Sequence, residues 1–423
     1  MSADLNTDYS RAPVPDGATI SGFRIAIVVF GIGITLPIFF IGSQLTQALG
    51  FKAAALALVA GCLIVAALMT VTSIIGARTR LSTYMILQFP FGRRGVIPVN
   101  VLLAITYIGY FSATADIFGV AVHDALHAFF GWSPAQELCT LVGCVVMTLT
   151  AMFGFRLIER FSELAVPILA LFMLYVVHLA LQQTSIAAVV ASAGVDSISF
   201  GIAISTVIGA NVLMAVSAPD LARYARNDVE ALKTVSGLAL GYPIIMLVAG
   251  IPTLVMGETD IMKIMLGLGI AAPALYILVF STWTTNTVNL YSAVLTLATV
   301  ATRAPDWRLA LYASALGTGG AVLGIMDFFL PFVLFIGIAA TPLAGVYIVD
   351  FFVVRRGNYD IKTLPQAAAV NYPALIAWGA GAGCAWLGTY GVVSLTAIPA
   401  LDSLIAASVV YLLASYKNAL RGV

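Results

Sequence analysis

The sequence predicts an all-α, polytopic membrane protein of about twelve transmembrane helices, and three observations support this fold class. Of the 423 residues, 61% are hydrophobic and only 9% are charged, whereas a soluble domain carries about 25% charged residues. The apolar residues form runs of about 20, the length that crosses a hydrocarbon core of about 30 Å. These runs are continuous and do not alternate as in a membrane β-barrel, so they predict helices.

Twelve apolar runs define the predicted helices 1 to 12. In order, they cover residues 22–45, 53–77, 96–124, 137–155, 162–183, 199–216, 232–257, 268–300, 308–325, 329–353, 371–392 and 396–416. The polar segment 1–20 predicts a flexible cytoplasmic tail, and residues 21–423 predict a single transmembrane transporter domain. The four cysteines lie in or beside apolar runs without a metal-ligand spacing, so we interpret them as small buried hydrophobic residues.

The distribution of positive charge predicts the orientation of these helices. If the N-terminus is cytoplasmic, all lysines and arginines except Lys52 and Lys263 fall in cytoplasmic segments or at cytoplasmic helix ends. This separation follows the positive-inside rule, and adding or removing one helix would destroy it. We therefore expect both the N-terminus and the C-terminus to be cytoplasmic.

Two predicted helices contain residues that favour an interruption at mid-membrane depth. Helix 1 contains the sequence FGIGITLP at 30–37, and helix 6 contains IGAN at 208–211. They are the first members of two five-helix sets at 22–183 and 199–353, which leaves two extra helices at 371–416. Transporters often contain inverted repeats with broken helices at matching positions. Close packing of small residues is the alternative explanation for these glycines.

Four short motifs occur together in this chain. They read PVP at 13–15, QFPFG at 88–92, SAPDLARYARN at 217–227 and TWTTNTVNLYS at 282–292. Together they resemble the purine/cytosine permease family of nucleobase:cation symporters, over nearly the whole chain. The resemblance implies a LeuT-type fold with two inverted five-helix repeats plus two helices. It also implies uptake of a nucleobase or related heterocycle with sodium, by alternating access across a bacterial inner membrane.

The resemblance implies a sodium site between helices 1 and 8. The matching positions are the hydroxyls of Thr284 and Thr285 and the carbonyls of Gly31, Ile34 and Ser281. A broken helix frees backbone carbonyls that can coordinate such an ion. The alternative is that the two threonines donate to carbonyls one turn earlier in their own helix. No cofactor is expected apart from this coupling ion.

The predicted substrate site draws on the same helices and on helix 3. A planar ring requires an aromatic face and a few polar partners within apolar walls. The candidate residues are Gly33, Tyr107, Tyr110, Gly209, Ala210, Asn211, Asn286 and Asn289. Tyr107 and Tyr110 are three residues apart and share a helix face, although helix packing would also explain them. The substrate stays open among cytosine, a purine, a hydantoin-like ring and a pyrimidine vitamin precursor.

Asp116 in helix 3 supports a rival hypothesis. Carboxylates inside a membrane are functional candidates, so the chain could be a proton-coupled transporter of another small polar solute. An enzyme is not expected, because His123 and His127 lie one turn apart without an evident third ligand. A channel is disfavoured by the lack of a continuous polar stripe. The expected partners are a nucleobase-like small molecule and the lipid bilayer, with no nucleic acid, and a monomeric state is compatible with this expectation.

Overall fold

The computed structural model describes residues 12–153, 155–195, 198–301, 303–366 and 368–421. Within these ranges the chain is helical, as predicted. The first nine helices are α1 (Gly22–Gly33), α2 (Leu36–Leu49), α3 (Phe51–Thr79), α4 (Thr83–Phe91), α5 (Ile97–Phe130), α6 (Gln136–Phe153), α7 (Phe155–Leu181), α8 (Ile186–Ala191) and α9 (Phe200–Val216). The others are α10 (Ala218–Ala222), α11 (Asp228–Thr234), α12 (Tyr242–Met256), α13 (Ile261–Gly267), α14 (Ala271–Val300), α15 (Asp306–Val322), α16 (Phe329–Val349), α17 (Tyr372–Thr389) and α18 (Pro399–Arg421).

The long helices have the dimensions of membrane spans. Among the described residues, five helices are long and apolar enough to cross a bilayer, or six if α1 and α2 form one span, and three shorter apolar helices accompany them. Each predicted helix is present with ends shifted by a few residues. The short helices α4, α8, α10 and α13 were not predicted. Two π-helical turns, at Gly237–Gly241 and Asp350–Val354, adjoin α12 and α16.

Predicted helix 1 is broken in its middle, as its sequence indicates. The axes of α1 and α2 differ by 64°, and the two residues between them leave the helical conformation. Ile34 has ψ 73°, and Thr35 is extended. Pro37 lies in the first turn of α2, where the missing amide hydrogen costs no helical bond. The expected interruption in helix 1 is therefore confirmed.

Predicted helix 6 is not broken, so the expectation of a matching interruption at 208–211 is wrong. The helix α9 runs without a break from Phe200 to Val216. Its glycine serves close packing instead, because a Cβ on Gly209 would lie 1.7 Å from the carbonyl oxygen of Val333 in α16. A Cβ on Gly337 would lie 3.0 Å from the Cα of Gly209. Small residues let two membrane helices approach this closely.

One end of the bundle is closed by polar contacts, and we call it the inner face, following the predicted topology. Arg80, which ends α3 in the left-handed conformation, donates to three carbonyls after α10. The distances from its guanidinium to the oxygens of Arg223, Ala225 and Arg226 are 3.2, 2.5 and 3.0 Å. The carbonyl of Arg80 accepts from the amide of Val14 at 3.1 Å. The motifs PVP and RYARN thus meet at this arginine.

The N-terminus of α1 belongs to the same inner face. The amide of Gly22 donates to the carboxylate of Glu230 in α11 at 2.6 Å, and Arg78 pairs with Asp228 at 2.6 Å. The part of the predicted tail from Ala12 to Ile20 is anchored here as well, because Val14 is buried and the amide of Ile20 donates to Tyr224. Residues 1–11 lie outside the described residues, and the flexibility of that part of the tail stays a prediction.

Candidate functional site

The candidate site lies where α5 crosses α9. The hydroxyl of Tyr110 donates to the carbonyl of Ala210 at 2.9 Å, and both residues are buried. Tyr107 lies one turn nearer the inner face on the same helix, α5. Of the two tyrosines predicted from their spacing, Tyr110 therefore bonds directly to the helix that carries Gly209, Ala210 and Asn211.

Tyr110 packs against two aromatic rings of α16, and one of these rings packs in turn on an aromatic ring of α2. Its ring packs edge to face against Phe329 and Phe332 of α16, with centroids 6.0 and 5.9 Å apart. Phe40 of α2 packs in the same way on Phe329 at 5.9 Å. We call Phe40, Tyr110, Phe329 and Phe332 the aromatic cluster. Edge-to-face contacts of this kind are favourable, and the cluster offers flat apolar surfaces at the level of the helix 1 break.

An open cleft leads from the opposite end of the bundle, the outer face, to this cluster. A cavity of about 120 Å³ lies between Leu36, Phe39 and Phe40 of α2 and the outer half of α5 at Ile117 and Val120. It adjoins a wider space of about 450 Å³ that is lined by charged and polar residues of the 258–263 segment and by the turn at 326–327. Both cavities thus lie on the outer side of the bundle.

Asn211 is the most unusual polar group at the site. It is 2% exposed, and its side-chain nitrogen donates to the carbonyl of Val207 at 2.8 Å. A carbonyl can only accept, so this bond fixes which end of the amide is the nitrogen. The amide oxygen has no hydrogen-bond partner among the described residues. Leaving a buried acceptor unpaired costs about 1–3 kcal/mol, which makes this oxygen a candidate for a ligand contact.

The two predicted asparagines of α14 have different surroundings. Asn286 is fully buried, and its side-chain nitrogen lies 3.2 Å from the sulfur of Met147 in α6. Its oxygen also lacks a partner among the described residues. Asn289 is half-buried on the same helix. The structure thus brings Asn286 next to α6, a contact that the sequence did not indicate.

Gly33 and two of the predicted cation ligands, Gly31 and Ile34, lie at the break between α1 and α2. A Cβ on Gly33 would come within 2.3 Å of the ring of Tyr242 in α12, so this glycine is needed for close packing. The amide of Ile34 donates to the carbonyl of Gly31 at 3.1 Å in a tight turn. Thr285 is half-buried. The side chains of Ser281 and Thr284 lie outside the described residues, so their predicted contacts stay a prediction.

Asp116 lies outside the aromatic cluster, at the rim of the outer cleft. Its carboxylate is 3% exposed and accepts from the amide of Met326 at 3.2 Å and from the side chain of Gln136 at 3.3 Å. It thereby links α5 to α6 and to the turn that precedes α16. Both of these donors are neutral, so the buried carboxylate of Asp116 is held by uncharged groups.

Sequence reasoning missed the residues of α16 that face Tyr110. Phe329 and Phe332 are three apart on one helix face, but they lie in a continuous apolar run where every position resembles lipid-facing sequence. Tyr84 in α4 was missed for another reason, because a nine-residue helix between two spans has no 20-residue apolar signal. The QFPFG motif at 88–92 in the same segment was the available hint.

Comparison with known proteins identifies the family. The sequence matches the family described as "Permease for cytosine/purines, uracil, thiamine, allantoin" over residues 13–410. The chain belongs to this family. It is 27% identical to the cytosine permease of Escherichia coli K12 over 401 residues, which cover 94% of this chain and 93% of that protein. It is 23% identical to the hydantoin permease of Microbacterium maritypicum over 380 residues, 83% of this chain and 77% of that protein.

Solved structures agree on the fold. The chain superposes on Mhp1, a nucleobase-cation-symport-1 family transporter, whose structure is in a closed conformation with bromovinylhydantoin bound. The TM-score is 0.82 at 21% identity, and the superposition covers 98% of this chain and 96% of that chain. The TM-score is 0.69 at 14% identity for a Na⁺-coupled sialic acid symporter in a substrate-bound outward-open state, with 97% and 92% covered. These likenesses confirm the LeuT-type fold of about twelve transmembrane helices.

Family membership settles the class of the protein. It is an integral membrane protein and a secondary transporter of nucleobase-like solutes. The family is one of transporters and not of enzymes, in agreement with the sequence expectation. The resemblance predicted from the four motifs is confirmed over almost the whole chain.

Proposed function

We propose that this chain takes up a planar heterocycle bearing an N–H donor, together with a sodium ion, across the plasma membrane. The observation that carries the substrate half of the proposal is the unpaired amide oxygen of buried Asn211, beside Ala210 and the aromatic cluster. The cluster supplies ring surfaces, and the oxygen supplies one acceptor. The relatives named cytosine permease and hydantoin permease support a ring of this type.

Asn211 would select the substrate by the direction of one hydrogen bond. Its nitrogen is held by the carbonyl of Val207, so the amide can present only its oxygen to a ligand. Nucleobases and hydantoins carry ring N–H groups that match this acceptor. A ring methylated at that nitrogen would leave the oxygen unpaired and add a methyl group to a tightly packed site, so binding would weaken.

Sodium is the proposed coupling ion, with Thr284, Thr285 and the carbonyls of Gly31, Ile34 and Ser281 as its ligands. The break between α1 and α2 supports this assignment, because the last carbonyls of a helix have no partners within it. The carbonyl of Gly31 accepts one bond from Ile34, and a carbonyl has a second lone pair for an ion. The similarity to a Na⁺-coupled symporter concerns the fold alone.

Proton coupling through Asp116 is the second candidate. A buried carboxylate held by neutral donors favours it. Protonation would remove the negative charge from the acceptor and so weaken the bond from the amide of Met326, which would loosen the turn before α16. Under this hypothesis the Asp116→Asn variant loses transport, whereas a sodium-coupled protein keeps it.

The proposal includes the topology and the division of the chain. Both termini would be cytoplasmic, with a tail at 1–20, repeats at 22–183 and 199–353, and two extra helices at 371–416. The concentration of arginines on the inner face supports this orientation through the positive-inside rule. The chain would act with no nucleic-acid partner.

The test is a thermal-stability measurement on the detergent-purified protein. Cytosine, uracil, a purine and hydantoin, each with its N-methylated analogue, would be compared in sodium chloride and in potassium chloride. A ligand at 100 times its dissociation constant stabilises the folded state by about 2.7 kcal/mol. We expect an N–H ring to raise the melting temperature in sodium only, and its methylated analogue to raise it less. Equal shifts in both salts would contradict sodium coupling.

Two pairs of variants test the residues. Asn211→Leu keeps the volume but removes the acceptor, so it should abolish the preference for the unmethylated ring, whereas Asn358→Leu on the surface should preserve it. Thr285→Val should remove the sodium dependence. Thr287→Val is its matched control, because Thr287 donates to the carbonyl of Trp283 in its own helix at 3.0 Å. If both threonine variants behave alike, Thr285 is only a back-bonding residue.

A further inference from the structure

The helix α4 occupies an unusual position for a segment between two spans. It follows α3 at the inner face, and seven of its nine residues, all except Tyr84 and Gln88, are buried. A loop helix on a protein surface would expose one face to water. This helix is instead enclosed between the ends of the spanning helices, so it fills the inner end of the bundle.

The carboxyl end of α4 is fixed firmly to the last third of the chain. The carbonyl of Phe89 accepts from the guanidinium of Arg355 at 3.1 Å, and the ring of Phe89 stacks on Tyr359 at 4.1 Å. Asn371 donates to the carbonyls of Pro90 and Phe91 at 2.6 and 3.0 Å. These contacts make one end of α4 a stable anchor.

The amino end of α4 reaches the two helices that line the candidate site. The amide of Thr83 donates to the carboxylate of Asp220 in α10, directly after α9, at 2.8 Å. The hydroxyl of Tyr84 lies 2.9 Å from the hydroxyl of Thr296 in α14. Thr296 already donates to the carbonyl of Ser292 at 2.7 Å, so Tyr84 must be the donor of the shared bond. One short helix therefore ties α10 to α14.

Tyr84 lies on the inner side of the candidate site. The bond from Tyr110 to Ala210 is at the level of the aromatic cluster. Tyr107 lies one turn inward of Tyr110 on α5. Tyr84 and Tyr107 are both half-buried, so part of each ring is left uncovered by protein. Hydroxyl groups that can exchange partners suit the walls of a path for a polar ring.

We propose that Tyr84 is an inner gate of the transport path, and that its bond to Thr296 holds the inner end closed. The substrate would leave between Tyr84 and Tyr107 once this bond breaks and α14 moves away from α4. The strong anchor at Phe89 and Asn371 keeps α4 in place, so the neutral bond at Tyr84 is the contact that separates. This assignment rests on the proposed function for the direction of transport, but the gate can be tested without a substrate.

The test measures access to two reporter cysteines in a background with Cys384→Ala, which removes the native cysteine that is not buried. Ser292→Cys reports the inner path, because it lies one turn from Thr296 on the same face of α14. Val120→Cys reports the outer cleft. Each is labelled with a membrane-impermeant maleimide in vesicles of both orientations, with and without Tyr84→Phe. Tyr312→Phe, on an exposed face of α15, is the matched control.

The expected result is a reciprocal change. A neutral hydrogen bond contributes about 0.5–1.5 kcal/mol, so its loss should shift the equilibrium toward the inward-open state by about twofold to tenfold. Labelling of Ser292→Cys from the inner face should rise several-fold, and labelling of Val120→Cys should fall. Thr296→Val, which removes the acceptor, should reproduce both changes, and Tyr312→Phe should change neither.

Two results would overturn the gate. Unchanged labelling of both reporters in Tyr84→Phe and Thr296→Val means that the bond does not hold the inner end closed. A rise at both reporters means local unfolding and not a gate. Failure of the proposed function would give a different result. No ligand would then raise the melting temperature, but the reciprocal change in labelling would still be seen.

Discussion

Replacing Gly209 by alanine tests the described glycine at which an added Cβ would have the least room. The added Cβ would lie 1.7 Å from the carbonyl oxygen of Val333, and ordinary contact begins at 3.4 Å. The helices α9 and α16 would therefore have to separate locally by about 1.7 Å, which also moves Ala210 relative to Phe329 and Phe332. Overpacking of a core costs about 1–3 kcal/mol, and the clashing atom here is backbone, so the upper half of that range is expected.

The assay is thermal unfolding of the purified variant, followed by intrinsic tryptophan fluorescence, together with ligand binding. Gly379→Ala in α17 is the matched control, because its Cβ would meet no atom within 4 Å. A glycine-to-alanine change at a compatible helical position is neutral or stabilising by about 0.4–1 kcal/mol. We expect Gly209→Ala to melt several degrees lower and to bind ligand poorly. If both variants melt alike, α9 and α16 do not approach as closely as described.

Three further variants test the contacts that hold the inner face and the site. Arg80→Ala removes bonds to three carbonyls and should lower the free energy of unfolding by about 2 kcal/mol or more. Arg78→Ala breaks only an exposed pair with Asp228 and should lower it by at most about 1 kcal/mol; equal losses in thermal unfolding would contradict this. Asp350→Asn leaves Arg355 without its buried carboxylate partner and weakens the bonds from Tyr359 and Tyr411. It should therefore lower the free energy of unfolding by about 3–5 kcal/mol, whereas Asp306→Asn on the surface should leave the melting temperature nearly unchanged. Tyr110→Phe removes one bond to Ala210 and should cost about 0.5–1.5 kcal/mol but retain ring binding; complete loss of ligand binding would show that the hydroxyl contacts the substrate.

The spans could be predicted because their physical cause is local. A lipid environment forces every backbone group to bond within its own helix, so a run of about 20 apolar residues can have only one structure. The break in helix 1 was also predictable, because Gly31, Gly33 and Pro37 act on their own backbone. Helix α9 shows the limit of this reasoning. A glycine that breaks a helix and a glycine that allows a second helix to pack closely look the same in the sequence. At Gly209 only the position of Val333 in the structure shows that close packing is the role.

The candidate site was predicted in part for the same reason. The face shared by Tyr107 and Tyr110 follows from helix geometry, and the structure brings the hydroxyl of Tyr110 to α9. The partners of a buried amide do not follow from local sequence. Asn211 bonds within its own helix and Asn286 lies against Met147, although both read as polar residues in apolar runs. Phe329 and Phe332 gave no signal because aromatic residues are ordinary in a membrane span.

The two ends of the bundle differ in the kind of contact that closes them, and this difference bears on the transport cycle. The inner face is held by bonds that span several elements, including the one from Gly22 to Glu230. The outer face contains a cleft whose floor is the apolar ring of Phe40. Polar bonds can be replaced by water as they break, whereas an apolar floor closes by excluding water. A substrate entering from outside would therefore displace little, and its release would depend on breaking the inner bonds in sequence. The bond from Tyr84 to Thr296 is one neutral hydrogen bond, so it should break more easily than the contacts of Arg80, which must release three carbonyls at once.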